Sequence, residues 1–271
     1  MSRAETPIFT MGLHKDEAIV LSKRLYGESD KIMRLFTLTS GKISAIAKGG
    51  GKSQKRFMNT LEHFNHIKVE YFEKQARGMV RIDNADIIET GSGMETSLKK
   101  VSVAAFFVEF ADRLTKEREK NTALFYALKD ILTKLKHSEF DYADILHHEL
   151  KMLGILGYMP NFMGCVYCGK VFPDEHKVHF SSERGGILCP ACSRAIPHRT
   201  YSGGTIPRLV SIGGNHNGSA FEVHESAGPS DVYVPDETKR FEREVRDIME
   251  SFISFHLDVE FKSYKILKSL I

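Results

Sequence analysis

The sequence predicts an α+β protein: a small N-terminal β-barrel, then an all-α helical bundle into which a four-cysteine segment is inserted. Three observations predict this fold class. Apolar and polar residues alternate with the period of half-buried strands over residues 17–90. Apolar residues then recur at helical spacing over residues 97–157 and 236–257, and all four cysteines lie between these two stretches. A length of 271 residues is enough for two or three domains.

Short strands separated by turn residues fill the first third of the chain. Residues 31–38 and 64–72 show the clearest alternation, and the turn at residues 39–42 predicts a hairpin between the strands on either side. Five or six strands in so short a stretch favour a small barrel, so we expect a barrel domain over residues 1–90. The predicted strands are residues 17–25, 31–38, 43–47, 64–72, 79–82 and 85–89.

Helices are predicted after the barrel, and their apolar stripes of Leu and Phe are expected to form a core. Asn121 and Asp141 suit N-cap positions, and Gly157 suits a helix end. We expect residues 91–160 and 236–271 to form one helical bundle. The predicted helices are residues 97–114, 121–135, 141–157 and 236–257.

The four cysteines form two close pairs, Cys165 with Cys168 and Cys189 with Cys192. The spacing C-x2-C-x20-C-x2-C is typical of a zinc site in which each pair turns two sulfurs toward one ion. Four thiolates complete a tetrahedral shell and leave no position for a catalytic water, so we expect one structural Zn²⁺ in a segment over residues 161–202. The alternative is four reduced thiols without metal. Four sulfurs also leave no ligand position for three nearby histidines: His176, His179 and His198.

The segment that follows the cysteines, residues 203–235, is rich in Gly, Ser and Pro and predicts a loop or linker.

Positive charge is concentrated in one N-terminal stretch. Between Asp30 and Glu62 there are seven basic residues and no acidic ones, although the net charge of the whole chain is only +3. A basic stretch on a nearly neutral protein indicates a surface that binds a polyanion, and a solvated basic loop is the alternative. Three aromatic side chains either stack on bases or face the barrel core: Phe57, Tyr71 and Phe72. The predicted phosphate-contacting residues are Arg34, Lys42, Lys48, Lys52, Lys55 and Arg56.

No pattern in the chain predicts an enzyme. Residues 51–53 read Gly-Lys-Ser, as at the end of a P-loop, but Ile46 stands where that motif needs its first glycine. Residues 147–149 read His-His-Glu, but adjacent side chains on a helix point in different directions. The motifs H-E-x-x-H and G-x-S-x-G do not occur, and no cysteine remains outside the two pairs to act as a nucleophile.

The sequence gives no sign of export or membrane insertion. Residues 1–20 lack a secretory signal, and no apolar run approaches the roughly 18 residues of a membrane span. We therefore expect a soluble, cytoplasmic protein. Thiols stay reduced in the cytoplasm, so paired cysteines there favour a metal site over a disulfide.

The order of these parts and several local runs resemble the RecO family of bacterial recombination mediators. The likeness covers nearly the whole chain. It is carried by residues 17–21 and 26–31 (opening strand and turn), 38–49 (hairpin and basic loop), 149–160 and 185–189 (approaches to the two cysteine pairs), and 255–257 with 262–263 (closing motif). Residues 203–235 depart from the family, because they are longer and more polar than its compact helical segment at that place.

The resemblance implies an OB-fold at residues 1–90 and a protein that acts in DNA repair and recombination. It implies binding of single- and double-stranded DNA, annealing of complementary strands, and loading of recombinase together with RecR. It also implies contact with the acidic C-terminal tail of single-stranded-DNA-binding protein, and a place at the nucleoid. Two other functions fit the same residues: a partner-recruiting adaptor that uses the bundle and the basic C-terminal tail, and a zinc-ribbon factor of transcription or RNA metabolism.

Overall fold

The computed structural model describes residues 12–53, 56–74, 78–171, 177–213 and 235–271. It divides into two compact units: Met1–Glu139 together with Phe261–Ile271, and Phe140–Glu260. These units do not coincide with the predicted domains, because the helices expected to form one bundle are shared between them. The first two helices belong to the unit of the barrel, and the third belongs to the unit of the cysteines.

Five strands of the first unit close into a barrel in the order β1-β2-β3-β5-β4. Strand β1 pairs antiparallel with β4 to close it, and β3 pairs with β5 in parallel. The α+β class and the N-terminal barrel are therefore confirmed. The strands are β1 (Gly12–Tyr26), β2 (Asp30–Thr37), β3 (Gly41–Ala47), β4 (His66–Glu73) and β5 (Val80–Glu89).

Strand β5 replaces the two short strands predicted at residues 79–82 and 85–89. Its pairing with β4 shifts register where Glu70 faces Asn84 and Tyr71 faces Ile82, which leaves Asp83 as an extra residue. A bulge of this kind interrupts the alternation of side chains without ending the strand. The sequence pattern therefore breaks at Asp83 although the strand continues.

The barrel interior is filled by the alternating apolar residues of all five strands, as strand periodicity requires. Phe57 and Leu61, which lie between β3 and β4, complete the same core. The strand residues of this core are Ala18, Val20, Met33, Leu35, Ile43, Ala45, Ala47, Ile67, Val69, Tyr71, Val80, Ile82 and Ala85.

Three helices belong to the same unit as the barrel: α1 (Leu98–Leu114), α2 (Thr122–His137) and α7 (Lys262–Leu267). Asn121 caps α2 as predicted, since its side chain accepts a hydrogen bond from the amide of Leu124 at 2.9 Å. The start of α7 is held by α1, because the carboxylate of Glu109 accepts hydrogen bonds from the amides of Lys262 (3.1 Å) and Ser263 (2.8 Å). Helix α7 is thus held by a residue that lies 153 positions earlier in the sequence.

Lys42 anchors the barrel to α1. It is only 5% exposed, and its ammonium donates to the carbonyls of Asp112 and Thr115 (2.6 Å to the latter), at the C-terminal end of α1. Carbonyls at a helix C-terminus lack helical partners and attract cations. Burial lowers the pKa of Lys42, and the nearby Asp112 carboxylate opposes that shift. The predicted phosphate contact of Lys42 is therefore corrected, because its charge is used inside the protein.

The second unit begins with α3 (Tyr142–Leu156), which starts in a capping box between Asp141 and Asp144, so the predicted cap at Asp141 is present. A three-stranded sheet follows in the order β7-β6-β8. The remaining elements are β6 (Lys177–Ser181), β7 (Gly186–Leu188), α4 (Pro190–Ser193), β8 (Arg199–Ser202), α5 (Thr205–Gly213) and α6 (Pro235–Leu257).

The predicted loop over residues 203–235 is partly wrong, because its first residues form helix α5. Ile206 and Leu209 are buried there, and helical spacing puts them on one face. Two glycines before the helix and a proline inside it hide this short apolar stripe from the sequence pattern. Residues 214–234 of the predicted loop lie outside the described residues.

Polar contacts join α6 to the sheet and its flanking turns. The carboxylate of Glu244 accepts hydrogen bonds from the amide of Ser202 (3.0 Å) and its hydroxyl (2.7 Å). Tyr201 donates to Asp247 at 2.6 Å, and Ser182 donates to the hydroxyl of Ser251 at 2.8 Å. The long helix therefore packs against the cysteine segment.

Replacement of Lys42 by Met should lower the free energy of unfolding by about 2 kcal/mol, because carbonyls at the end of α1 lose their donor. Urea unfolding followed by circular dichroism measures this change. Lys48→Met is the matched control, since Lys48 is exposed, and it should stay within about 0.5 kcal/mol of the unchanged protein. Equal unfolding midpoints for the two variants would refute the anchoring role.

Glu149 makes the second unit sensitive to pH. Burial raises the pKa of Glu149 to about 8, with a smaller contribution from the negative charge of Glu250. The folded protein therefore keeps a proton on Glu149 that the unfolded chain releases above its ordinary carboxyl pKa. Stability is full below that ordinary pKa and falls as the pH rises toward 8.

The variant Glu149→Gln should remove this dependence, because the amide stays neutral at every pH. We expect it to unfold at higher temperature than the unchanged protein at pH 7.5 and to differ little at pH 4.5. The gain at pH 7 is on the order of 3 kcal/mol. Melting curves of both proteins from pH 4.5 to 8 give the comparison, and parallel pH profiles would contradict the assignment.

Candidate functional site

The first cysteine pair lies on a tight turn of the second unit. The amide of Cys165 donates to the carbonyl of Lys170 (2.9 Å), and the amide of Gly169 donates back to the carbonyl of Cys165 (2.8 Å). Gly169 has a φ of 71°, a conformation that glycine adopts without strain. This turn, residues 165–170, is called the knuckle below, and it directs the sulfurs of Cys165 and Cys168 to one side.

The second pair lies at the start of α4, just after β7. Cys189 is the N-cap residue, Pro190 is the first helical residue, and the amide of Ser193 donates to the carbonyl of Cys189 at 3.0 Å. Proline suits this position because the first amide of a helix needs no partner. The amide of Val166 donates to the carbonyl of Ile187 (2.9 Å), which ties the knuckle to β7 and brings the two pairs together.

The four sulfurs form one cluster. All lie within 4.8 Å of one another, and the sulfurs of Cys168 and Cys189 are 3.8 Å apart. Tetrahedral zinc with Zn–S bonds of about 2.3 Å requires sulfur–sulfur distances of about 3.8 Å. The predicted set of ligating residues is therefore brought together with spacing that fits a metal ion.

The electrostatics of the cluster also fit a cation. Burial opposes ionisation of Cys165, but hydrogen bonds from the backbone of Cys189, Cys168 and Tyr167 outweigh it and lower its pKa to about 6. The pKa of Cys192 is raised, first by its hydrogen bond to Cys189 and then by burial. Four thiolates this close repel one another, so a divalent cation is what makes the fully ionised set stable.

Histidines do not belong to the cluster among the described residues. The metal-binding group contains the four cysteines alone. The Nδ1 atom of His198 lies 2.9 Å from the carbonyl oxygen of Ile196. The Nδ1 atom of His179 lies 3.1 Å from the hydroxyl of Thr200. His176 lies outside the described residues.

The two histidines of the His-His-Glu triplet contact each other edge to face, with ring centroids 5.3 Å apart. The Nδ1 atom of His147 lies 2.7 Å from the carbonyl of Ile212, whereas His148 is buried and stacks on Phe140 with ring centroids 5.1 Å apart. Glu149 is buried as well. Each histidine is therefore also held by a contact with another residue of the second unit.

Much of the basic stretch is neutralised by acidic residues distant in sequence. Arg34 pairs with Asp112 at 2.7 Å, and Lys31 pairs with Glu62 at 3.4 Å. Lys48 pairs with Asp30 at 2.6 Å but stays 61% exposed. The count of seven unopposed cations therefore overstates the positive potential of this surface.

The exposed cations that remain are on the loop after β3. Lys52 and Arg56 are exposed, and the guanidinium of Arg56 donates to the carbonyl of Lys48 at 2.9 Å. The amide of Gly51 donates to the carbonyl of Ser29 (2.6 Å), which holds the loop beside the turn between β1 and β2. Lys55 lies outside the described residues. Residues 48–56 are called the basic loop below.

The aromatic candidates divide between core and surface. Phe57 and Tyr71 are buried in the barrel, and only Phe72 is exposed, at 38%. Sequence reasoning missed Tyr26 and Leu25, which are exposed at the end of β1. Leu25 lies against Gly51: a side-chain carbon added to Gly51 would be 3.2 Å from a terminal methyl carbon of Leu25. This end of β1 is therefore next to the basic loop. Gly27, which follows Tyr26, marks a turn, and the residues beside a turn are commonly exposed.

None of the helices that the structure describes combines the length and the apolar composition needed to cross a membrane.

Comparison with known proteins identifies the family. The family described as Recombination protein O N terminal matches residues 11–90, and Recombination protein O C terminal matches residues 95–224. The chain belongs to the RecO family. A DNA repair protein RecO of Thermoanaerobacter sp. (strain X514) is 31% identical over 96% of this chain and 99% of its own length. A DNA repair protein RecO of Myxococcus xanthus (strain DK1622) is 35% identical over 71% of this chain and 80% of its own length.

Family membership makes this chain a bacterial DNA repair protein. It also agrees with the likeness carried by residues 17–21, 26–31, 38–49 and 149–160. The cysteine cluster and the basic loop both lie within the residues that the RecO family covers.

A metal bound by the cluster should be part of the fold. The purified protein should contain one zinc per chain by elemental analysis, and Cys165→Ser should lose the metal and melt at a lower temperature. His198→Asn is the control, because His198 lies outside the cluster, and it should keep both the metal and the melting temperature. A metal-free protein that melts normally would exclude the structural role.

Proposed function

We propose that this RecO-family chain is a mediator of homologous recombination rather than an enzyme. It binds single- and double-stranded DNA, anneals complementary strands, and helps load recombinase onto single strands that are coated by their binding protein. The observation that carries the proposal is the exposed basic loop on the barrel of a chain whose family acts in DNA repair. A bacterial protein with this task works in the cytoplasm, at the nucleoid.

The barrel is proposed to be an OB-fold. Five short strands that close through β1 and β4 support this assignment. OB-folds bind oligonucleotides across the face of strands 2 and 3 and at the loop between strands 1 and 2. The basic loop follows β3 and lies beside that first loop, because the amide of Gly51 donates to the carbonyl of Ser29.

DNA contact is proposed at the basic loop and the end of β1. Lys48, Lys52, Lys55 and Arg56 supply the cations, and Tyr26 supplies an exposed ring on which a base can stack. Arg34 is a weaker candidate than the sequence suggested, because Asp112 already neutralises it. The loop is glycine-rich, so its backbone can approach a phosphate chain closely.

Annealing follows from electrostatics and needs no chemical step. Two DNA strands repel each other through their phosphates, and a cationic surface that touches both lowers that repulsion. The protein then holds strands while base pairing supplies the free energy. No nucleotide hydrolysis is required, in agreement with the incomplete P-loop pattern at residues 46–53.

The metal of the cysteine cluster is proposed to be zinc with a structural role. Four thiolates at tetrahedral spacing favour Zn²⁺, and they leave no open coordination position. Cys165, Cys168, Cys189 and Cys192 would hold it, and the ion would fix the knuckle to β7 and α4.

The proposed protein partners are RecR and the acidic C-terminal tail of single-stranded-DNA-binding protein. The family resemblance suggests both. The exposed lysines of the last helix, next to an exposed Ile266, offer the mixture of charge and apolar surface that an acidic peptide with apolar residues needs. These lysines are Lys262, Lys265 and Lys268.

Removal of two loop cations should weaken DNA binding in a salt-dependent way. Each phosphate contact on a single strand contributes about 0.7 to the slope of log K against log salt, so Lys52→Ala with Arg56→Ala should flatten the slope by about 1.4. Fluorescence anisotropy of a labelled oligothymidine across a salt series measures it. Lys116→Ala with Lys120→Ala is the matched control, because it removes two exposed cations elsewhere in the same unit.

Annealing of two complementary oligonucleotides, measured with and without ATP, completes the test. The unchanged protein should accelerate annealing equally in both conditions, and the loop variant should lose most of the acceleration. A loop variant that binds and anneals like the control variant would overturn the proposed surface. Tighter binding to RNA than to DNA would favour a zinc-ribbon factor of RNA metabolism instead.

A further inference from the structure

We propose that the knuckle carries a second contact for single-stranded DNA, centred on Tyr167. The proposal rests on the proposed function and adds a site in the second unit, far in sequence from the basic loop. It comes from a group of exposed side chains that the metal centre does not use. They lie on the knuckle and on the turns that flank it.

Tyr167 occupies the outer position of the first cysteine pair. Its neighbours Cys165 and Cys168 direct their sulfurs into the cluster, whereas the Tyr167 side chain is 63% exposed. A tyrosine combines an apolar ring with a hydroxyl that stays hydrated, and this combination suits a side chain that contacts a partner. The backbone hydrogen bonds of the knuckle fix the turn from which this ring projects, so little backbone order has to be gained when a ligand binds.

Apolar surface extends on one side of the ring along the chain. Val171 follows the knuckle and is 75% exposed, and Met163 precedes it and is also exposed. The knuckle folds back on itself, so that a side-chain carbon added to Gly164 would lie 3.6 Å from Val171 Cγ2. Exposed apolar side chains therefore lie at both ends of the knuckle.

Positive charge borders the same patch. The guanidinium of Arg184 lies over the ring of Tyr167, with its carbon 6.0 Å from the ring centroid. Lys170 belongs to the knuckle itself and is exposed. Among the residues that the structure describes, neither cation is held in an ion pair. An aromatic ring beside an arginine and a lysine is the arrangement by which proteins hold single-stranded nucleic acid, through base stacking and cation–π contact.

The charge of the metal centre determines which part of the ligand binds here. Four thiolates on one dication carry a net negative charge, which Lys170 and Arg184 partly offset. Phosphates are therefore attracted less strongly than at the basic loop, and the ring is the main contact. A stacked base presents an uncharged face to Tyr167, so this site should add affinity with little salt dependence.

The test compares the contribution of the Tyr167 ring to DNA binding with that of the basic-loop cations, in the 271-residue chain. Tyr167→Ala should weaken binding of a labelled oligothymidine about tenfold, since stacking of one base is commonly worth about that factor. The slope of log K against log salt should change little, in contrast to the Lys52, Arg56 double variant. Tyr167→Phe keeps the ring and should bind like the unchanged protein, and Tyr158→Ala removes another exposed tyrosine of the same unit as a control.

A direct readout accompanies the affinities. An oligonucleotide carrying 5-iododeoxyuridine should crosslink to Tyr167 under ultraviolet light, and zinc analysis of Tyr167→Ala should show an intact metal site. Binding by Tyr167→Ala that equals the unchanged protein, or crosslinks confined to the barrel, would overturn the second contact while leaving the basic loop intact. Failure of the unchanged protein to bind DNA would overturn both proposals together.

Discussion

The first unit depends on how the positive charge of β2 and β3 is neutralised. Arg34 and Lys42 both reach Asp112 near the end of α1, and Lys42 also satisfies carbonyls of that helix. One acidic residue thus sets the position of α1 against the barrel wall. The same helix carries Glu109, which holds the start of α7. Within the basic stretch, the described cations that remain exposed are Lys48, Lys52 and Arg56 of the basic loop.

The extent to which the sequence predicted this structure differs from feature to feature. Strand alternation located the barrel, and the cysteine spacing located the sulfur cluster, because both depend on residues close in sequence. The ion pairs of the basic stretch could not be predicted in this way, because their acidic partners are distant in sequence. Asp112 lies 70 residues after Lys42, so the acid-free stretch looked more basic than the folded surface is. The bulge at Asp83 and the helix α5 were missed because local composition there contradicts the element formed.

The cysteines of the candidate metal centre differ in their burial. Cys165 and Cys189 are buried with Leu188 and Ile196 in a small apolar cluster, while Cys168 is exposed. Because this core contains so few apolar residues, burial alone stabilises it little. Small segments of this kind commonly gain folding free energy from a bound metal ion. The outer side of the knuckle is then not needed for packing, and Tyr167 is exposed there.

The cap that Glu109 provides to α7 has a consequence for the order in which the chain folds during synthesis. Helix α7 leaves the ribosome after the whole of the second unit, yet it belongs to the unit that contains strands β1 to β5. Residues 140–260 are therefore an insertion within that unit, and they emerge before it is finished. The barrel can close early, but the apolar face of α1 around Phe106 and Phe110 waits for Phe261 to cover it. Loss of the last eleven residues would expose a nascent hydrophobic surface in the N-terminal half rather than near the cut.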